Sequence, residues 1–135
     1  MLRIGQLAQQ AEVHIETLRF YERKGILKAG KRTEKGYRLY AGDDVSRVRF
    51  IKHAQKLGFS LREVTELLEL KLDRKSKCVD VERRAEAKIS EIDHKIQSLR
   101  KMRSALKTLT KACQGSIPSS ECPILKAFES STERV

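Results

Sequence analysis

The chain has no tryptophan, 5% aromatic residues and only two prolines in 135 residues. Its core is therefore modest, and a large enzyme with a deep cleft is excluded. The opening residues lack the apolar run of a signal peptide, and no window approaches the roughly 18 apolar residues of a membrane span. A cytoplasmic protein with no membrane partner is expected. There is no recognisable nucleophile and base pairing, no phosphate-binding glycine loop and no paired-carboxylate site, and Gly5 is isolated, so the chain does not read as an enzyme. The cysteines number three, an odd count that does not suit a disulfide framework. In a reducing compartment such thiols are free, metal-binding or redox-active.

Acid is also scarce relative to base, and the formal net charge is +11. A polyanionic partner fits that excess. Its distribution is more informative than its total. Between Arg19 and Arg38 lie Arg19, Arg23, Lys24, Lys28, Lys31, Arg32, Lys35 and Arg38 against only Glu22 and Glu34.

The longest regular feature is the segment from Val79 to Ala112, which contains neither proline nor glycine. Apolar side chains fall at Ile89, Ile92, Ile96, Leu99, Met102, Leu106 and Leu109, spaced by threes and fours among Lys, Arg, Glu, Asp, Gln and Ser. This is a helix with one apolar seam, which stays wet unless another helix covers it. Cys78 and Cys113 bracket the segment, and Cys122 follows after Gly115 and Pro118. At about 1.5 Å per residue, the two bracketing thiols of one helix stand roughly 50 Å apart. If two copies pair antiparallel through the seam, Cys78 of one chain approaches Cys113 and Cys122 of the other, giving two identical three-thiol sites.

The preceding part reads as a small helical domain. Ile4 to Gln10 and Ile15 to Lys24 form two short helices around a turn at Ala11 to Val13, the second stopped by Gly25. Leu7, Ala8, Val13, Leu18 and Phe20 are expected to pack the pair together. His14 stands where Ser, Thr, Asp or Asn normally caps. Arg32 to Tyr40 alternates around a turn containing Gly36, as a β-hairpin does. Beside a helix-turn-helix such a hairpin is a wing that lays Arg, Lys and Tyr on phosphates. Asp43 and Asp44 open a helix that ends at Gly58, and Ser60-Leu61-Arg62-Glu63 is a capping box opening another.

These residues resemble a known family. Ile4-Gly5-Gln6-Leu7-Ala8, Thr17-Leu18-Arg19-Phe20-Tyr21-Glu22 with Gly25, Gly36-Tyr37-Arg38-Leu39-Tyr40, Leu57-Gly58-Phe59-Ser60-Leu61, and Cys78, Cys113 and Cys122 with Pro123-Ile124-Leu125 are together similar to the metal-sensing branch of the MerR family of transcription regulators. The resemblance implies a mainly α chain: a winged helix-turn-helix DNA-binding domain over residues 1–70, a connector over 71–78, a dimerisation helix in an antiparallel coiled coil over 79–112, a metal-binding loop and short terminal helix over 113–128, and a flexible tail over 129–135. It implies a homodimer on double-stranded promoter DNA, bending and untwisting the spacer for RNA polymerase when metal binds. Thr17, Arg19 and Tyr21 on the helix, and Arg32, Lys35, Tyr37 and Arg38 on the wing, match positions that meet DNA in the family. Cys78, Cys113 and Cys122 match its metal ligands.

Three thiolates without a nearby histidine favour a soft divalent ion, whereas zinc generally wants four ligands. His14, His53 and His94 are not read as ligands. In the zinc-sensing relatives a second cysteine and a loop histidine are typical, where this chain has Gln114 and Pro118 or Ser119. The copper(I) sensors lack the cysteine at the head of the coil. Mercury(II), lead(II) and cadmium(II) are therefore the favoured ligands, with zinc ranked behind. Two other functions remain open at this point: a thiol redox or electrophile sensor on the same scaffold, and a cytosolic metal-sequestering protein whose basic surface is incidental.

Overall fold

The computed structural model describes residues 1–130. The chain divides into two compact units, Met1–Ala85 and the remainder from Glu86. In order, the elements are strand β1 (Leu2–Arg3), helix α1 (Ile4–Ala11), helix α2 (Ile15–Arg23), strand β2 (Lys31–Arg32), strand β3 (Arg38–Tyr40), helix α3 (Asp43–Lys56), helix α4 (Leu61–Leu72), helix α5 (Cys78–Thr110), a 3₁₀ turn (Ser119–Glu121) and helix α6 (Pro123–Ser130).

In the first unit α1 and α2 are joined through Glu12, which takes a left-handed conformation at φ 59°. Three side chains of α3 brace this corner and the chain after α2. Arg49 donates to the Gln10 carbonyl at 2.7 Å, Lys52 to the Glu12 carbonyl at 2.8 Å, and Arg47 to the Ile26 carbonyl at 2.8 Å. Leu7, Leu18, Leu27, Val48, Ile51 and Val64 are fully buried at the centre. Burying such a side chain contributes about 1.5–3 kcal/mol, against about 0–1 kcal/mol for an exposed ion pair. The apolar core, not the surface charge, holds this unit.

The wing differs from a two-stranded hairpin. β3 lies between β1 and β2, with Leu2 opposite Tyr40, Arg3 opposite Leu39, Lys31 opposite Leu39 and Arg32 opposite Arg38. The sequence pattern does not reveal β1, because a two-residue strand is too short to alternate. The turn is closed by the Gly36 N–H donating to the Thr33 carbonyl at 2.9 Å, with Gly36 at φ +87°. Gly30 passes so close to β3 that a Cβ there would overlap the Leu39 carbonyl oxygen.

The capping box opening α4 forms as expected. Ser60 Oγ accepts the Glu63 N–H at 3.2 Å, and Glu63 Oε1 accepts the Ser60 N–H at 2.8 Å. The first turns of α5 belong to this unit, where Arg84 pairs with Glu66 of α4.

Past Ala85, α5 leaves its apolar seam open. Ile89, Ile92, Ile96, Leu99, Met102 and Leu106 range from 38% exposed at Ile92 to 61% at Leu99. Hydrogen bonds from Lys88 and Lys95 hold the Glu91 carboxyl below its ordinary range. The helix stops at Thr110, two residues short of the expected Ala112. At the other end, Glu129 and Ser130 belong to α6 and are not part of a tail. The rest of the tail expected over 129–135 lies outside the described residues. Among the described residues no helix is long and apolar enough to cross a membrane.

Candidate nucleic-acid interface and thiol sites

Helix α2 sorts its side chains by a spacing of three. Leu18 and Tyr21 enter the core, Thr17 is half-buried, and Ile15, Glu16, Arg19, Phe20 and Arg23 are exposed. His14 occupies the N-cap position without a side-chain cap, and its carbonyl accepts the Thr17 N–H at 3.0 Å. Arg19 pairs with Glu16 at 3.2 Å, both largely in solvent. Such a pair is weak, so the guanidinium is available for exchange onto another acceptor.

Two sequence expectations are corrected here. Tyr21 is only 3% exposed and its hydroxyl donates to Gln55 Oε1 at 2.8 Å, so it supports the surface from behind and does not form part of it. Phe20, expected in the core, lies outside, with the Arg23 and Lys24 cations 5.9 and 5.6 Å from its ring centre. The two aromatics are adjacent, so the helix turns one in and the other out.

The wing faces α2 across a groove of about 500 Å³ lined by Arg19, Glu22, Arg23, Arg32, Tyr37 and Arg38 among others. Arg32 donates to the Gly36 carbonyl at 3.3 Å, which folds it back over the turn, and Lys35 is exposed at the tip. Tyr37 is half exposed, with the Arg3 guanidinium 4.3 Å from its ring centre. Arg38 donates to Glu22 Oε2 at 2.7 Å, and the Tyr40 hydroxyl donates to Glu22 Oε1. Arg3 and Arg23 belong to this surface although the sequence motifs did not single them out. Arg23 was legible, lying one helical turn beyond Arg19; Arg3 depends on β1, which was not.

Burial pushes the Tyr21 phenol above its ordinary value, and burial together with the Glu22 carboxylate does the same for Tyr40, opposed by Arg38. Both phenols are thus held neutral by the fold. Their stabilisation is complete below the unfolded pKa near 10 and is lost as pH rises through the higher folded values. The expected result is a melting temperature that falls above about pH 10, with Tyr21 and Tyr40 phenolate absorbance developing together with unfolding. Ionisation of both in a still-folded protein would contradict this burial.

All three cysteines are free. Cys78 is exposed at the first position of α5, whose start is held by Asp80 Oδ2 accepting the Lys77 N–H at 2.8 Å. Cys113 is exposed just past the end of α5, and its sulfur accepts the Gly115 N–H at 3.4 Å. Cys122 is half-buried at the entry to α6; its carbonyl accepts the Lys126 N–H at 3.0 Å and Pro123 takes the first helical position. Among the described residues of one chain, no group of three His, Cys, Asp or Glu side chains is gathered closely enough to hold a metal ion. Three thiols are a soft donor set, and His94 Nδ1 lies 2.8 Å from the Ser90 carbonyl of its own helix.

Residues 2–71 match the family model described as MerR HTH family regulatory protein, and residues 45–109 match that described as MerR, DNA binding. The chain is 40% identical over 131 residues to the HTH-type transcriptional regulator ZntR of Escherichia coli (strain K12), covering 96% of this chain and 93% of the relative. It is 40% identical over 126 residues to the mercuric resistance operon regulatory protein of Bacillus cereus, covering 93% of this chain and 96% of that one. Among solved structures, it is similar to the transcription regulator PbrR691 from Ralstonia metallidurans CH34 in complex with lead(II), with a TM-score of 0.84, 32% identity, and coverage of 95% of this chain and 99% of the other.

Proposed function

The chain belongs to the MerR family of DNA-binding transcription regulators, in its metal-responsive branch, and from this we propose that it works as a homodimer on promoter DNA, activating transcription when a soft divalent ion binds. Cys78 of one protomer together with Cys113 and Cys122 of the other would hold the ion. The observation that carries this reading is an exposed apolar seam on α5 with one thiol at its head and two beyond its end. A second, antiparallel copy covers the seam and gathers the donors that one chain leaves dispersed. Mercury(II), lead(II) or cadmium(II) suits three thiolates, with zinc behind them. Relatives named for mercury and for lead(II) support an ion of this class without choosing among its members.

Thr17, Arg19, Arg32, Lys35 and Tyr37 line or border the α2 and wing surface that would meet DNA. Most such contacts go to phosphate, with base reading left to the few side chains that enter the groove. Activation then follows from coupling. The dimer holds the promoter in both states, distorting the spacer costs a few kcal/mol, and the bound ion must favour the distorting conformation by a comparable amount.

Arg19→Ala is expected to weaken operator binding about 10–100-fold, with or without metal, as loss of a groove contact does. A gel-shift titration reads this directly, and unchanged affinity would defeat the placement of α2 in the groove. The function itself is tested by titrating the reduced dimer with mercury, lead, cadmium and zinc under thiol competition while following transcription from the promoter of the neighbouring gene. Activation by one of the soft ions is expected. Activation only by an oxidant, or by no ion at all, would overturn the metal-sensor reading.

A further inference from the structure

We propose that Glu22 is a positioning residue for DNA binding: it fixes the wing against the recognition helix by holding Arg38 and Tyr40 at once. The inference rests on the DNA-binding reading of α2 and the wing. The side chain of Glu22 is 10% exposed, and each carboxylate oxygen has its own donor, Arg38 Nη1 on Oε2 at 2.7 Å and the Tyr40 hydroxyl on Oε1. Both donors come from β3, the middle strand of the sheet. Fixing β3 carries β2 and the Thr33–Gly36 turn with it through the strand ladder, so one carboxylate orients Arg32, Lys35 and Tyr37 relative to Arg19 and Arg23.

This geometry changes the role of Arg38. The family resemblance puts it among the DNA contacts; here its Nη1 donates to the Glu22 carboxylate, with the side chain 38% exposed. It contributes through the carboxylate, by setting the wing angle. Two donors on one carboxylate hold it more firmly than one, and charge-assisted hydrogen bonds gain as water is excluded around Glu22.

A positioning role for Glu22 and simple electrostatics predict changes of opposite sign. Glu22 is an anion within the most basic stretch of the chain, facing a groove that would admit phosphate, so deleting its charge alone would raise affinity for DNA. If it positions the wing, deletion lowers affinity instead, because the wing must then be ordered at the moment of binding. Glu34, exposed in the wing turn, provides the charge-matched comparison.

The experiment measures operator affinity for wild type, Glu22→Ala, Glu22→Gln, Glu34→Gln, Arg38→Ala and the Glu22→Ala/Arg38→Ala double variant. Amide exchange of the wing is followed in the same proteins without DNA. Glu22→Ala is expected to bind about tenfold more weakly, Glu22→Gln to lie between it and wild type because the amide keeps one acceptor, and Glu34→Gln to bind as tightly as wild type or tighter. The double variant should lose no more than the worse single variant. In free Glu22→Ala, wing amides should exchange about tenfold faster while those of α1 and α3 stay unchanged. Equal gains in affinity for Glu22→Ala and Glu34→Gln, additive losses for Glu22 and Arg38, or unaltered wing exchange would overturn the proposal. If wild type itself fails to bind operator DNA, the DNA-binding reading falls, and the exchange measurement still decides whether Glu22 holds the wing.

Discussion

Cys78→Ser will abolish metal-driven activation while leaving metal-free operator binding within about twofold of wild type. The first half follows from ligand chemistry. A serine hydroxyl is a hard, neutral donor, and replacing one of three thiolates removes a large share of the affinity of a soft ion, about a thousandfold or more. The second half follows from location. Cys78 is exposed, is not among the buried residues of the first unit's core, and stands at a helix start held by Asp80. Serine is also readily accepted at a helix entrance. Thiol-competition titration gives the affinity and promoter transcription gives the response. Metal-dependent activation at native concentrations in this variant would remove Cys78 from the site.

The second large effect is on assembly. Ile96→Asp places a carboxylate in the middle of the seam, and in a symmetric pair it does so twice. Burying an unpaired charge costs several kcal/mol, so the dimer is expected to weaken by about 4 kcal/mol or more, roughly a thousandfold in dissociation constant. The variant should sediment as a folded monomer, since the core of the first unit comprises only residues up to Leu68. Operator binding should fall with the dimer, because one recognition helix reads only one half-site. The surface substitution Gln97→Asp, off the seam register, provides the control. A dimer that tolerated Ile96→Asp as well as Gln97→Asp would place the interface elsewhere.

The helices were legible where local chemistry marks their ends. Gly25, Gly58 and the Ser60 capping box stop or start them as their residue types require, and the run without glycine or proline is one continuous helix, Cys78–Thr110. The seam was legible because its period is intrinsic to a helix. What failed was the choice between neighbours. Phe20 and Tyr21 are both aromatic, and hydrophobicity alone does not assign which turns inward; the spacing from Leu18 to Tyr21 does. Strand β1 was invisible because its pairing with β3 is a tertiary contact without a local pattern. Net charge also overstates the surface offered to a polyanion. Arg47, Arg49 and Lys52 satisfy backbone carbonyls within the domain, so part of the net +11 braces the fold and does not face a polyanion. The three thiols were legible in composition and register, but among the described residues of one chain they gather no metal-holding group, and the proposed site requires a second copy.

A site built from two copies is tested most directly with mixed dimers. A Cys78→Ser chain paired with a Cys113→Ser/Cys122→Ser chain should regain one complete site, formed by the intact Cys78 of the second and the intact Cys113 and Cys122 of the first. The purified heterodimer is expected to bind the soft ion at half the wild-type stoichiometry, with thiolate charge-transfer absorbance, while neither parent homodimer binds it tightly. A heterodimer that binds no better than its parents would contradict a metal site shared between antiparallel protomers.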